Sequence, residues 1–335
     1  MDCALDELTP GHADEAIALW NSALGADLPM TPRLWRQVVT DDPNAMPGDA
    51  IAARAADGAL AGFILTRQFH QLDLVPAMES TRGSGWILAL IVAPALQRRG
   101  LGSQLLRAAE ERLQAHGATR CTVGGGIEHL LPGQPLSLAA DPGDQPMLEF
   151  WRQHGYTPSR AEYDLRRNLS NFLAPPVPPL IRNGTYQVAP GKAGDEAALL
   201  AFVGREFPGR WHYDITQALA RGLSIEDVIL LKDNTATIQG FLCSWHHQSV
   251  LLGPSTYWYP ALGDRFGGIG PLGIAQGVRG NGLGLALVAA GVETLRRRGV
   301  EECAVDWTTL IDFYGALGFH VSRRYCRFEP KTLSA

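Results

Sequence analysis

Two segments of the sequence repeat one another, which limits the chain to folds that can be built twice from about half of its length. Residues 92–118 align without a gap with residues 274–300, at an offset of 182, and nine of the 27 aligned positions are identical. Because the order of four blocks is preserved, the sequence predicts two copies of one fold. The three further blocks are 58–69 with 235–247, 120–123 with 302–305 and 150–156 with 313–319.

A proline-rich stretch lies between the two copies. Residues 168–184 read NLSNFLAPPVPPLIRNG, with four prolines within five positions: Pro175, Pro176, Pro178 and Pro179. Proline lacks the backbone N–H and biases its neighbours towards extended conformations, so we expect neither a helix nor an inner strand here. The stretch is interpreted as a linker, with a surface loop inside one domain as the alternative. The 335 residues then divide into an amino-terminal domain (1–168), a linker (169–184) and a carboxyl-terminal domain (185–335), in line with about 100 to 200 residues per domain.

The composition excludes several classes of protein. The chain has 29 basic and 34 acidic residues, a net charge of −5, which argues against binding to nucleic acid or to anionic membranes. The five cysteines are scattered and form no C-x-x-C pair, so neither a disulfide framework nor a metal site is expected. An acidic amino terminus and the lack of a long apolar run argue against a secretory signal and a membrane span. We therefore expect a cytoplasmic protein.

The order of local patterns is the same in both halves. Helical periodicity over residues 15–24 and 196–207 follows an opening strand. A pair of strands comes next, then a strand ending at Val92 or Ile274, a glycine-rich turn and a helix of about 15 residues. A strand, a short helix and a final strand complete each copy. The fold class predicted is α/β, in which a mixed sheet is flanked by helices.

The glycine-rich turn between strand and helix is the motif that carries chemistry. A helix amino terminus presents unpaired N–H groups and a partial positive charge, which suit a phosphate when glycine leaves room for it. Arginine adds charge-assisted contacts to the same oxygens. The alternative is that the glycines serve tight packing of helix on strand. The two turns are Gln97, Arg98, Arg99, Gly100, Leu101 and Gly102, and Arg279, Gly280, Asn281, Gly282, Leu283 and Gly284.

Neither turn matches two common nucleotide-binding motifs. The sequence has no G-x-x-x-x-G-K-[ST], and neither turn completes G-x-G-x-x-G, because Leu105 and Leu285 occupy the last position. The remaining Q/R-x-x-G-x-G/A signature, with FYGALGF at 313–319, resembles the GNAT superfamily of acetyl-CoA-dependent N-acetyltransferases in both halves. The resemblance implies two tandem GNAT acyl-CoA N-acyltransferase domains with acetyl-CoA as co-substrate and no metal.

The resemblance also implies roles for the residues around each turn. Ile274 and Ala275, and Val92 and Ala93 in the first copy, would contact the pantetheine arm, while residues 279–284 and 97–102 would bind the pyrophosphate. Tyr314 occupies the position of the family's general acid, which protonates the departing coenzyme A thiolate. A phenol has this proton at neutral pH, because its reference pKa is about 10. The alternative for Tyr314 is a core aromatic side chain.

The general base and the acceptor-binding residues are predicted less directly. Asp306 ends the strand after the second long helix and is a candidate base, with a structural carboxylate as the alternative. Glu206 and His212 fall between early helices, where the fold gathers acceptor-binding residues; an exposed loop or a helix-cap role is the alternative. Trp307 stands where the family often has an asparagine near the cofactor, which puts that contact in doubt.

The first copy departs from the family pattern at the acid. Phe150 and Trp151 replace Phe313 and Tyr314, and an indole N–H does not serve as a proton donor to a thiolate in the same way. An insertion of 19 residues precedes this block. We expect the amino-terminal domain to keep the fold without the usual acid. The layout is similar to that of tandem GNAT proteins such as mycothiol synthases, which catalyse in the carboxyl-terminal copy.

Three functions remain open at this level. The first is acetyl transfer from acetyl-CoA to a primary amine of a small molecule or protein. The second is a non-catalytic acyl-CoA-binding or sensor protein, and the third is a transferase for a different acyl-CoA. The oligomeric state is open between monomer and homodimer.

Overall fold

The computed structural model describes residues 3–139 and 142–333, in which strands and helices alternate as the sequence predicts. The amino-terminal half contains β1 (Ala4–Glu7), α1 (Ala13–Leu24), α2 (Pro32–Trp35), β2 (Ala50–Arg54), β3 (Leu60–Gln68), β4 (Ser84–Val92), α3 (Leu101–Ala115), β5 (Arg120–Val123), β6 (Gln134–Leu136), α4 (Gln145–Gln153) and β7 (Pro158–Asn168). The carboxyl-terminal half contains α5 (Pro179–Arg182), β8 (Tyr186–Pro190), α6 (Glu196–Glu206), α7 (Arg210–Ala220), β9 (Val228–Asp233), β10 (Ile238–His246), β11 (Phe266–Ile274), α8 (Leu283–Arg297), β12 (Glu302–Thr308), α9 (Ile311–Gly315), β13 (His320–Phe328) and β14 (Lys331–Thr332).

The chain forms two compact units whose pieces are not consecutive in sequence. The first unit consists of residues 1–72, 80–162 and 323–335, and the second of residues 73–79 and 163–322. Two strands, β7 and β13, therefore contribute residues to both units. The sequence boundaries predicted for the two repeats, 168 and 185, stay a prediction.

The first unit is built on a sheet with the strand order β1-β2-β3-β4-β5-β14. Neighbouring strands are antiparallel except β4 and β5, which run parallel from Ser84 opposite Arg120 to Ile87 opposite Val123. The short strand β14 returns from the carboxyl terminus to pair with β5. Residues 324–326 of β13 pair with β6 in the same unit.

The second unit repeats this plan with the strand order β8-β9-β10-β11-β12-β7. Strands β11 and β12 run parallel from Phe266 opposite Glu302 to Ile269 opposite Val305. Residues 163–168 of β7 pair antiparallel with β12, and the sheet continues from β7 to β13. The predicted mixed α/β class is confirmed in both units.

The long helices α3 and α8 cover one face of each sheet and place the main cores. Two leucines eight positions apart lie on the buried face of each helix: Leu105 and Leu113 in α3, and Leu287 and Leu295 in α8. All four side chains are 0 to 1% exposed. Burying a leucine stabilises the fold by about 1.5–3 kcal/mol, so these faces fix each helix on its sheet. Both helices have the predicted 15 residues.

The proline-rich stretch departs from the prediction in one place. Residues 179–182 form one helical turn, α5, although we expected no helix there. Proline at the start of a helix is compatible with helical geometry, because the N–H that it lacks would have no partner within the helix. No helix among the described residues is long and apolar enough to span a membrane.

Candidate functional site

The two glycine-rich turns have the same geometry. In the first unit the Gln97 side chain donates from Nε2 to the Val92 carbonyl oxygen at 3.1 Å. In the second unit the Arg279 side chain donates from Nε to the Ile274 carbonyl oxygen at 3.0 Å. Both bonds join a turn residue to the end of the preceding strand, five positions earlier. The aligned residues therefore perform the same structural task, which supports the repeat read from the sequence.

The backbone of each turn opens a helix amino terminus. Gly100 and Gly282 precede α3 and α8 in the left-handed region, with φ of 86° and 73°. The first bond along each helix is donated by Gln104 N to Gly100 O and by Ala286 N to Gly282 O, both at 3.1 Å. The three N–H groups before each of these donors have no helical partner, and no described side chain caps either helix. Such a terminus is suited to a phosphate group.

The space around the turn glycines shows whether tight packing of helix on strand requires glycine at these positions. A Cβ atom built on Gly100 or Gly280 meets no described atom within 4 Å. At Gly102 and Gly284 it would meet Phe150 at 3.4 Å and Phe313 at 3.6 Å, which are close to ordinary contacts. Packing therefore does not require glycine at 100 or 280. The positive φ at both positions, 86° and 83°, accounts for glycine there.

A cleft of about 1060 Å³ opens beside the turn of the first unit. Its walls include residues 87–92 of β4, the turn residues Gln97, Arg98, Gly100 and Gly102, and Phe150 and Trp151 of α4. We call it the first cleft. It lies where β4 continues past Ile87, the last residue paired with β5. The volume is sufficient for a cofactor-sized ligand.

Trp151 lines the first cleft, at the position that aligns with Tyr314 of the second unit. Its side chain is 4% exposed, and its Nε1–H donates to the Gln134 Oε1 atom at 2.8 Å. Edge-to-face contacts with Phe150, Tyr156 and Phe328 also hold the indole. The polar hydrogen of this side chain is thus engaged within the protein.

In the second unit the parallel strands separate at Asp306. Strand β11 continues five residues past Ile269, and Asp306 follows Val305, the last residue of β12 that pairs with β11. The Asp306 Oδ1 atom lies 3.5 Å from the position of a Cβ atom built on Gly270. The carboxyl group therefore reaches β11 where the gap between the strands begins.

The surroundings of Asp306 favour its neutral form. Burial raises its pKa to about 8, and the negative charge of Asp164 contributes to the same direction. Arg210 lowers the pKa and Asp214 raises it further, both by smaller amounts. A carboxyl group with this pKa exchanges its proton near neutral pH, as a general base must.

Tyr314 lies in α9 with its side chain 5% exposed. It packs edge to face with Phe313 and Phe319, at ring distances of 5.0 and 6.0 Å. Burial raises the pKa of its phenol, and the charges of Asp306 and Cys303 act in the same direction. Tyr314 is thus a core aromatic side chain that keeps its proton at neutral pH. Its role as an acid stays a prediction.

Glu206 is the last residue of α6, and His212 lies in the first turn of α7. Glu206 accepts from Arg205 Nε at 3.0 Å. The His212 ring packs 3.4 Å from the Cβ position of Gly204 on α6. Among the described residues, neither side chain is hydrogen-bonded or ion-paired to Asp306 or Tyr314, so the structure does not bring the four candidates into one network.

Asp164, Arg210 and Asp214 lie close enough to Asp306 for their charges to affect its pKa. They were not predicted from the sequence. The Trp307 backbone N–H donates to Asp164 Oδ1 at 3.2 Å. The Arg210 guanidinium carbon lies 5.1 Å from the centre of the Trp307 ring, and Arg210 Nε is 3.7 Å from Asp214 Oδ2. Asp164 precedes Trp307 by 143 positions, so no local pattern connects them. In the described part of the chain, no group of three or more His, Cys, Asp or Glu residues is arranged to hold a metal ion.

The chain is similar in sequence to known acetyltransferases. A model of the acetyltransferase (GNAT) family matches residues 18–127. The mycothiol acetyltransferase of Geodermatophilus obscurus is 29% identical over 328 residues, which cover 94% of this chain and 93% of that protein. The mycothiol acetyltransferase of Salinispora arenicola is 32% identical over 295 residues, which cover 83% of this chain and 80% of that protein.

A solved structure shows the same fold over nearly the whole chain. It contains a GCN5-related glucosamine N-acetyltransferase region in a fungal multi-domain GH3 β-N-acetylglucosaminidase. The TM-score is 0.85 at 24% sequence identity, and the match covers 98% of this chain and 38% of that longer chain. The likeness establishes the architecture of both units.

Proposed function

The chain belongs to the GNAT family of N-acetyltransferases, and we propose that it transfers the acetyl group of acetyl-CoA to a primary amine of a small molecule. The observation that carries the proposal is the second unit's combination of an open glycine turn with Asp306, which lies where the strands separate and is close enough to Tyr314 for its charge to act on the phenol. Relatives named mycothiol acetyltransferase support a small molecule as the acceptor.

The residues of each turn fit the phosphates of coenzyme A. Unpaired N–H groups at the start of α8, beside the open space at Gly280, would hold the pyrophosphate. Arg279 adds a positive charge at the same place. The backbone of Ile274 and Ala275 would meet the pantetheine arm, and Val92 and Ala93 are their counterparts in the first unit. The bound co-substrate supplies an activated acetyl group as a thioester.

Asp306 and Tyr314 divide the proton transfers between them. A primary amine attacks the thioester carbonyl only when it is neutral, so an ammonium group must first lose a proton. We assign that proton to Asp306, whose pKa of about 8 lies near the working range of a base. The Tyr314 phenol holds its proton at neutral pH and would deliver it to the departing sulfur. Strand N–H groups facing the gap would stabilise the oxyanion.

The second unit is proposed as the catalytic one and the first as a site that binds acetyl-CoA without transfer. The first cleft carries the same turn, but Trp151 stands at the position of the acid and its N–H is engaged by Gln134. The division predicts two coenzyme A sites and one site of turnover in each chain. The hypothesis of a non-catalytic acyl-CoA-binding protein would then apply to the first unit alone.

The acid is tested by replacing Tyr314 with Phe, which removes only the hydroxyl group. Release of coenzyme A thiol from acetyl-CoA is measured with a panel of amines. We expect kcat to fall by about 10² to 10⁴-fold, with KM for acetyl-CoA within about twofold of the wild type. Tyr186→Phe, a change on β8 in the same unit, is the matched control and should keep full activity. Unchanged turnover in the Tyr314 variant excludes the acid role.

A further inference from the structure

Strand β12 carries one extra residue where it pairs with β7. Asp306 and Trp307 together face the single residue Asp164. Two residues opposite one form a β-bulge, and bulges re-aim side chains beside active sites. The regular pairs on either side are Val305 with Leu165 and Thr308 with Tyr163.

The Asp164 carboxylate holds this bulge. Trp307 has a φ of 45°, a left-handed conformation that is rare for a large side chain and persists only where its surroundings fix it. Its backbone N–H donates to Asp164 Oδ1 at 3.2 Å. Asp164 is 4% exposed, and its own backbone carbonyl accepts from Ser322 Oγ at 3.1 Å. The partner of the strained residue is therefore itself fixed in place.

The bulge decides where the Asp306 side chain lies. Directly after the regular pairing ends at Val305, the Asp306 carboxyl group reaches towards Gly270 on β11. Trp307 is covered from α7 by the Arg210 guanidinium group at 5.1 Å. The two residues of the bulge thus differ in their contacts: Trp307 holds β12 in place, and the Asp306 side chain faces the gap between β11 and β12.

We propose that Asp164 is a positioning residue, which holds the bulge in β12 and thereby aims Asp306 at the gap between β11 and β12. The role rests on the base function proposed above for Asp306. Charged groups act on Asp306 from two elements, Asp164 from β7 and Arg210 and Asp214 from α7. The charge of Asp306 in turn raises the pKa of Tyr314 on α9. Asp164 thus affects both the orientation and the proton affinity of the base.

Two substitutions separate these effects. Asp164→Asn keeps a side-chain oxygen for the Trp307 N–H but removes the negative charge. Because a like charge disfavours ionisation of its neighbour, the rising limb of kcat against pH should move to lower pH by about one unit. Asp164→Ala also removes the acceptor, so kcat at pH 8 should fall by about 10- to 100-fold. KM for acetyl-CoA should stay within about twofold in both variants.

Asp312→Asn removes an exposed acid from α9 in the same unit and is the matched control; it should show the wild-type profile. Circular dichroism establishes that each variant is folded; if Asp164→Ala is not, Asp164→Leu, which fills a similar volume and has no acceptor, replaces it. Full kcat in the folded variant that lacks the acceptor overturns the positioning role, and an unshifted limb in Asp164→Asn overturns the effect of Asp164 on the proton affinity of the base. Asp306→Asn is measured alongside. If its rising limb matches that of the wild type, the base role fails; if it loses the limb while the variant without the acceptor keeps full kcat, only the positioning role fails.

Discussion

Replacing Asp306 with Asn should change how acetyl transfer depends on pH. A base acts in its deprotonated form, and burial together with Asp164 raises the pKa of Asp306 to about 8. At that pKa the carboxylate fraction is about one hundredth at pH 6, one tenth at pH 7 and one half at pH 8. The rate that depends on this base therefore rises about tenfold per pH unit below pH 7 and levels off above pH 8.

The assay is thiol release at saturating acetyl-CoA, followed from pH 6 to pH 9 for wild type and Asp306→Asn. The acceptor amine also titrates in this range, but its contribution is common to both proteins and cancels in the ratio of their rates. We expect the ratio of wild type to variant to increase about tenfold from pH 6 to pH 7 and to reach a plateau above pH 8. A ratio that stays constant from pH 6 to pH 9 would refute the reasoning.

Three further outcomes follow from the same structure. The carboxyl group of Asp306 releases its proton near pH 4 in the unfolded chain but retains it to about pH 8 in the folded protein. Between pH 5 and pH 7 the free energy of unfolding of the wild type should therefore fall by about 1.4 kcal/mol per pH unit relative to that of Asp306→Asn, as measured by denaturant unfolding. A difference that does not change with pH would contradict the raised pKa. Leu287 in α8 is 0% exposed, so Leu287→Ala should destabilise the second unit by about 2–5 kcal/mol in chemical unfolding, and a loss below 1 kcal/mol would contradict its place in the core. If Glu206 and His212 bind the acceptor, Glu206→Gln and His212→Gln should raise KM for the amine and leave KM for acetyl-CoA unchanged; equal effects on both substrates would exclude that role.

Much of each unit is predictable because its signals are local. The strand ends at Val92 and Ile274 and the 15-residue helices that follow were placed from glycine turns and helical periodicity. The same signals located the two turns, because a glycine directly before a helical pattern indicates a turn with positive φ. Tyr314 was predicted from the resemblance of the FYGALGF block to the GNAT family, and Asp306 because it ends the strand after the second long helix.

The rest depends on pairings between distant segments. Strand β7 precedes the proline-rich stretch but places residues 163–168 beside β12, and β13 carries residues 323–328 into the first unit. A strand's own residues indicate that it pairs but do not identify its partner. For this reason Asp164 was counted with the first copy, and neither the bulge at Asp306 nor the contact of Trp307 with Asp164 was visible in the sequence.

The central claim is that the second unit transfers the acetyl group while the first only binds acetyl-CoA, and a matched pair of turn variants tests it most directly. Gly100 and Gly282 are equivalent residues with positive φ and have no neighbour closer than 3.6 Å to a built Cβ atom. Asp at either position would place a negative charge at the phosphate end of one site, in a backbone conformation that Asp tolerates better than most residues. Calorimetry with coenzyme A, together with thiol release, should show one binding site lost in each variant and turnover lost only in Gly282→Asp. Full turnover in Gly282→Asp together with its loss in Gly100→Asp would contradict the assignment.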